Sequence, residues 1–232
     1  MLNMIFTEAS LELVPREIHK HPSVKRNAKR RKKPPEETLL NRSLHHFAMD
    51  RIPDSQKRGR PDILHFCLLI AMGSPLNRLG NLNVTINTLN NYSIMINSSM
   101  KPPRDCLRFN SLMEQLFING AVPPQAEEPL MFLKREYLKE QIDRISPSMT
   151  LALSSHGKPS TYEKVASILT QEQSPVILIG AYPTGPMNPN VLKQADEVYS
   201  VYHKPLEAWT ITSRILYEFE KTKVNILDNE KK

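Results

Sequence analysis

Glycine is scarce in this chain, with seven in 232 residues, and their placement excludes several nucleotide chemistries. No GxGxxG is present, so the ordinary dinucleotide fingerprint is missing. Neither GxSxG nor GxxxxGK followed by Ser or Thr occurs, which removes the common hydrolase elbow and P-loop nucleotide hydrolysis. Cysteine is scarcer still: Cys67 and Cys106 stand alone, without CxxC or a Cys/His cluster, and both are expected to be buried reduced thiols. The seven histidines include His45-His46 but no HExxH, so no metal centre is expected. No apolar run approaches the roughly 20 residues that span a bilayer. The first residues, MLNMIFTEAS, lack a basic stretch before their apolar patch and carry Glu8, unlike a signal peptide. A cytoplasmic protein with no membrane partner is the expectation.

What the chain has is positive charge, concentrated in one stretch. The formal net charge is +7, and between Arg16 and Lys33 nine Lys or Arg residues face one acid, Glu17. Lys25, Lys29 and Lys32, with Arg26 and Arg30 beside them, recur at helical spacing and end at Pro34-Pro35. A run of one sign repels itself, and a phosphate backbone is the partner that relieves this. The arm is expected to be disorder-prone on its own, as is the C-terminal VNILDNEKK.

The rest alternates between strand and helix patterns. Met4 to Phe6 reads as a strand. Glu36 to Met49 reads as a helix with Leu39, Leu40, Leu44 and Phe47 on one face. After a polar loop, Asp62 is placed to cap a helix over Ile63 to Met72, with Arg60 two residues before it across Pro61. Val84, Ile86 and Thr88 alternate with polar residues, and Asn90-Asn91 turns the chain toward Ile94 and Ile96, a β-hairpin. Asp105 opens an amphipathic helix carrying Leu107, Leu112, Leu116 and Phe117. Lys101, Arg104 and Arg108 sit just before it or in its first turn, where cations oppose the helix macrodipole and are better explained by an external anion. Further strands are read at Leu130 to Leu133, Thr150 to Leu153, Val176 to Ile179 and Glu197 to Val201. Helices are read at Tyr137 to Ile145, Tyr162 to Leu169, Val191 to Ala195 and along a last segment starting near Pro205. The class is α/β, a mostly parallel sheet flanked by helices with a β-hairpin insertion.

PVILIGAYPTG holds two of the seven glycines, Gly180 and Gly185. Taken alone, it reads first as a buried strand turning into a loop. Parallel strands bind ligands beyond their carboxyl ends, however. If the strands are neighbours, the loops Leu153 to Gly157, Gly180 to Gly185 and Val201 to Leu206 surround one small-molecule site. Aliphatic walls and backbone groups would suit an adenine ring more than a triphosphate.

RGRPDILHFCLL with SPLN after it, KPPRDCLRF, LIGAYPTG and VYHKPLEAW, in this order, resemble the Emg/Nep family of SPOUT-class ribosome-biogenesis methyltransferases over roughly Leu2 to Lys221. The resemblance implies an enzyme that uses S-adenosylmethionine to methylate N1 of a pseudouridine in small-subunit ribosomal RNA. It implies a homodimer and a C-terminal trefoil knot, which no periodicity reveals. The absence of a long N-terminal extension is more like the archaeal members. The implied organisation is one domain over 1–221, with a basic arm at 16–35, an RNA-binding and hairpin region at 59–120, a cofactor-binding knot at about 150–221 and a tail at 222–232. Carried over by motif, the cofactor positions are Leu153, Gly180, Gly185, Val201, Tyr202, His203, Lys204, Pro205 and Leu206. The RNA-contacting positions are Arg60, Arg104 and Arg108, with Lys101 where the family has arginine. Arg60 and its partner Asp62 are the catalytic pair. A non-catalytic RNA-binding assembly factor on the same scaffold explains the cations equally well, and cofactor binding separates the two.

Overall fold

The structure, a computed structural model, describes residues 1–229, with side-chain surroundings described through residue 222. Its centre is β1 (Leu2–Ala9), buried along its whole length. β1 pairs in parallel with β2 (Leu82–Thr88) on one side and β7 (Pro175–Gly180) on the other. β6 (Met149–Pro159) follows in parallel on β7, and β8 (Glu197–Ser200) in parallel on β6. Three antiparallel strands extend the opposite edge: β3 (Tyr92–Ile96) from the hairpin, then β5 (Met131–Arg135) and β4 (Ala121–Val122). The eight strands form one sheet in the order β4-β5-β3-β2-β1-β7-β6-β8.

The apolar run of β7 is covered on both faces, as its composition requires. Val176 and Leu178 join Ile5, Ala152 and the α6 (Leu138–Ile145) residues Leu138 and Ile142. Ile177 and Ile179 point the other way, into the larger core. There they meet Val165 and Leu169 of α7 (Tyr162–Gln171), Leu64 and Leu68 of α3 (Pro61–Gly73), and Ile215 and Phe219 of α9 (Ala208–Asn229). α4 (Pro75–Arg78), α5 (Cys106–Asn119) and α8 (Pro189–Leu192) complete the shell. The expected hairpin turn is present, and Asn91 takes the left-handed conformation (φ 58°) that the pair Asn90-Asn91 tolerates.

Several sequence expectations are corrected. The basic arm is ordered: α1 (Pro22–Arg31) packs on α2 (Arg42–Met49) over a satellite core of Val14, Ile18, Val24, Leu40, Ala48, Met49 and Ile52. The helix read over Glu36 to Met49 is only its second half. Leu39 and Leu40 are buried from extended chain, with Leu39 bridged to Leu13, while Leu44 and Phe47 face solvent. Leu107 is also exposed, so the buried face of α5 runs through Phe109, Met113 and Leu116 instead. β6 does not stop at Leu153; after a register shift, Lys158 and Pro159 pair again with Tyr199 and Ser200. α9 begins at Ala208, past Pro205, because the Glu207 carbonyl accepts the first helical N–H groups from Thr210 and Ile211. α9 also continues through Asn229, so most of the expected tail is helical, and residues 230–232 lie outside the described residues. Cys67 is buried, its thiol pushed up to about 12 by that burial, but Cys106 is exposed. Among the described residues no helix is long and apolar enough to cross a membrane.

Candidate functional site

The ends of β6, β7 and β8 open onto a cavity of about 400 Å3. Leu153, Ser154 and Ser155 come from β6, Gly180 and Tyr182 to Met187 from the loop after β7, and Val201, Tyr202 and Lys204 to Ala208 from the segment between β8 and α9; Thr210 and Ile211 of α9 close it. Of the nine expected cofactor positions, eight line this space. The ninth, His203, is not among the lining residues and packs its ring against Tyr202, centroids 4.3 Å apart.

The two loop glycines serve different needs. Gly185 has φ +98°, a backbone state that L side chains rarely adopt. Gly180 has no such torsion; the Tyr182 ring folds over its bare α-carbon, and a Cβ there would lie 2.7 Å from Tyr182 Cε1. Burial, then the Glu8 carboxylate, hold the Tyr182 phenol above its ordinary value, so it remains a neutral hydrogen-bonding group. The loop is fastened to the N-terminal half: Thr184 Oγ1 donates to the Gln56 carbonyl at 3.1 Å, and Lys57 Nζ lies 4.3 Å from the Tyr182 ring centre while donating to Glu8 at 2.6 Å. Around the cavity, the backbone N–H groups of Tyr182, Thr184, Lys204 and Leu206 have no backbone partner among the described residues.

Next to the cavity stands a charged fork. Arg60 Nε donates to Asp62 Oδ1 at 2.9 Å and Oδ2 at 3.1 Å, and its terminal nitrogen donates to Oδ2 at 2.7 Å. Pro61 between them is the first residue of α3, so its fixed φ sets the angle at which the two side chains face each other. Asp62 lies within the first turn and does not cap it; the N-cap position belongs to Arg60, whose own N–H donates to Ser10 Oγ at 2.8 Å. The Asp62 hydrogen bonds raise the guanidinium against partial burial, and the charges of Asp62 and Glu207 add to the effect. Glu207, which lines the cavity, is near enough for its charge to act on Arg60, so the fork stands within electrostatic reach of the cavity.

Lys101, Arg104 and Arg108 are exposed around the start of α5, where Asp105 caps by accepting the Arg108 N–H at 2.9 Å. After the partial desolvation of its otherwise exposed side chain, the charges of Asp62 and then Asp105 push up the Cys106 thiol, which puts this helix start within electrostatic reach of the fork. His65, one turn after Asp62, fixes the approach to α5 through a 2.6 Å contact with the Pro103 carbonyl and a stacked Phe109 ring. Sequence reading missed Tyr182, Lys57 and Glu207. Tyr182 sits between the two flagged glycines and Glu207 within HKPLEAW, so both were visible as neighbours of motifs; Lys57 offered no signal. Among the described residues no cluster of three or more His, Cys, Asp or Glu side chains could hold a metal ion.

Comparison with known proteins gives a consistent answer. The family model for EMG1/NEP1 methyltransferase matches residues 4–220. The ribosomal RNA small subunit methyltransferase Nep1 of Staphylothermus marinus is 39% identical over 215 residues, covering 93% of both chains. Its namesake from Thermococcus kodakarensis is 40% identical over 220 residues, covering 95% of this chain and 98% of its own. A crystal structure of Archaeoglobus fulgidus Nep1 bound to S-adenosylhomocysteine superposes with a TM-score of 0.84 at 32% identity, covering 95% of this chain and 98% of the other. With a matched family model across nearly its whole length and relatives of this identity, the chain belongs to the EMG1/NEP1 methyltransferase family.

Proposed function

We propose that this protein is an S-adenosylmethionine-dependent methyltransferase that modifies N1 of a pseudouridine in small-subunit ribosomal RNA during subunit biogenesis. It works as a cytoplasmic homodimer. The observation that carries the reading is the Arg60–Asp62 fork, which feels the charge of the cavity residue Glu207 and whose Asp62 acts on Cys106 at the start of α5, among the cations. A methyl donor and a polyanion are thereby offered adjoining sites.

The residues of the cavity fit the cofactor. Leu153, Val201, Leu206 and Ile211 give aliphatic walls for an adenine ring, and unpaired loop N–H groups offer donors to its edge and to a carboxylate. Lys204 and Glu207 bring one charge of each sign, which suits a zwitterionic amino-acid end. The cofactor, when bound, supplies a methyl group on a sulfonium, activated for transfer to a nitrogen nucleophile. The segment from about Thr150 to Lys221 holds it, wound as a trefoil knot, within one domain spanning 1–221. The strand order β7-β6-β8, with α9 returning across α3 and α7, supports that winding.

On the acceptor side, Asp62 holds the Arg60 fork rigid so that it can grip a flipped-out nucleotide without reorganising. As N1 loses its proton, the guanidinium stabilises the negative charge that develops on the base. Both oxygens of Asp62 are engaged by Arg60, which leaves solvent to take the proton. Lys101, Arg104 and Arg108 hold the flanking backbone, and α1 adds sequence-independent affinity. Lys101 lacks the planar fork of arginine and serves as a point charge on phosphate. The test is a methylation assay on a pseudouridine-containing hairpin and its uridine twin. Transfer to the first and not the second is expected; equal transfer overturns the pseudouridine reading. Absence of S-adenosylmethionine binding by calorimetry overturns catalysis in favour of an assembly factor.

A further inference from the structure

The strongest surface feature outside that site lies on α2. This helix buries His45, Ala48 and Met49 and turns Leu44, His46 and Phe47 outward. Phe47 is 76% exposed, more than any other large apolar side chain among the described residues. The His46 ring stands edge-on to it, centroids 5.3 Å apart. The exposed charge of the α1 segment is of one sign: Lys25, Arg26, Lys29, Arg30 and Lys32 are all exposed, and none of these five forms a salt bridge among the described residues, while α2 adds one exposed acid at its C-cap, Asp50. Asn27 ties the two helices together, its amide 3.0 Å from His45 Nε2 and accepting from Arg30 at 3.2 Å. α2 starts beside the fork, where the Arg42 N–H donates to the Gly59 carbonyl at 2.7 Å. At about 1.5 Å of rise per residue, Phe47 lies roughly 8 Å further along the helix axis.

We propose that Phe47, with His46 at its edge, is a stacking platform for an unpaired RNA base flanking the nucleotide gripped by Arg60, while the α1 cations hold the adjoining phosphates. The inference rests on the RNA methyltransferase reading. An aromatic face in a cationic setting suits any base, because every base presents a π-face and every nucleotide a phosphate. A second copy of this chain fits poorly here, since an isologous contact would set each copy's unpaired cations against the other's. Two apolar side chains also give far less than the apolar area of a stable dimer contact.

The experiment measures affinity for a fluorescent RNA hairpin with single-stranded flanks, by anisotropy at several salt concentrations. Phe47→Ala should weaken binding about 5- to 150-fold with the salt slope unchanged, and Phe47→Trp should restore it. The double variant Lys29→Ala, Arg30→Ala should instead flatten the slope by about one to two units. S-adenosylmethionine affinity should be unmoved in all three, and the melting temperature in both Phe47 variants. Wild-type affinity in Phe47→Ala overturns the platform alone, and so does a change in its sedimentation, which would make the ridge a subunit contact. No RNA binding by the unaltered protein overturns the parent reading with it.

Discussion

Arg60 and Asp62 were legible because everything that pairs them is local: two opposite charges across a proline at a helix start. Arg60→Ala is expected to cut methyl transfer by about 10²-fold or more, the cost of removing a donor aimed at developing charge, with cofactor affinity within twofold by calorimetry. Arg60→Lys should recover only part of the loss, because an ammonium cannot fork. Gly180 was legible as a glycine of the cofactor loop, but the contact that requires it was not. Its value lies not in an unusual torsion but in the room it leaves for Tyr182, a contact made when the loop folds back and invisible in a linear reading. Gly180→Val should drive that ring off its seat and into the cavity, weakening S-adenosylmethionine binding by at least tenfold while RNA affinity in the anisotropy assay is kept. Loss of both together would contradict the division between donor and acceptor sides.

Among the elements, α1 departs most from its sequence reading. Nine cations in eighteen positions argued for disorder, but two of them are consumed in the fold. Arg31 and Lys33 both meet the fully buried carboxylate of Glu114 on α5, which also accepts the Leu39 N–H at 3.1 Å. The partner sits some eighty residues away, beyond the reach of any local pattern. The same packing buries His45 and lowers it from 6.5 to about 4, first by desolvation and then through the charge of Arg31. The unfolded chain therefore takes up a proton below pH 6.5 that the folded one refuses until about pH 4, so stability falls as pH drops through this window. The loss is on the order of 2–3 kcal/mol at pH 4. Urea unfolding of wild type and His45→Gln across this range should show their stability difference shrinking as pH falls. The helix boundary misplaced at Glu36 has a related cause: Leu39 and Leu40 satisfy two different cores from extended chain, and their spacing mimics a helical face.

At the scale of the molecule, the alternation of strands and helices announced the α/β class, and the buried run of β7 announced a covered strand. The order of strands was not legible, because parallel neighbours are chosen by long-range packing of two apolar faces. If it is the proposed homodimer, the protein should sediment at twice the chain mass at micromolar concentration; a monomer that still methylates RNA would remove the dimer from the mechanism. The strand order has a consequence in time. A ribosome releases β1 first, and β1 finds β2 once residue 88 has emerged, but its other edge pairs only with β7, which ends at Gly180. At about 5–20 residues per second, that edge waits roughly 5–20 s with unpaired N–H and C=O groups and the apolar face of Leu2, Met4 and Phe6 beside it. The nascent chain thus passes through a period of exposure that the finished protein conceals, and any delay in translating the stretch between the two strands lengthens it.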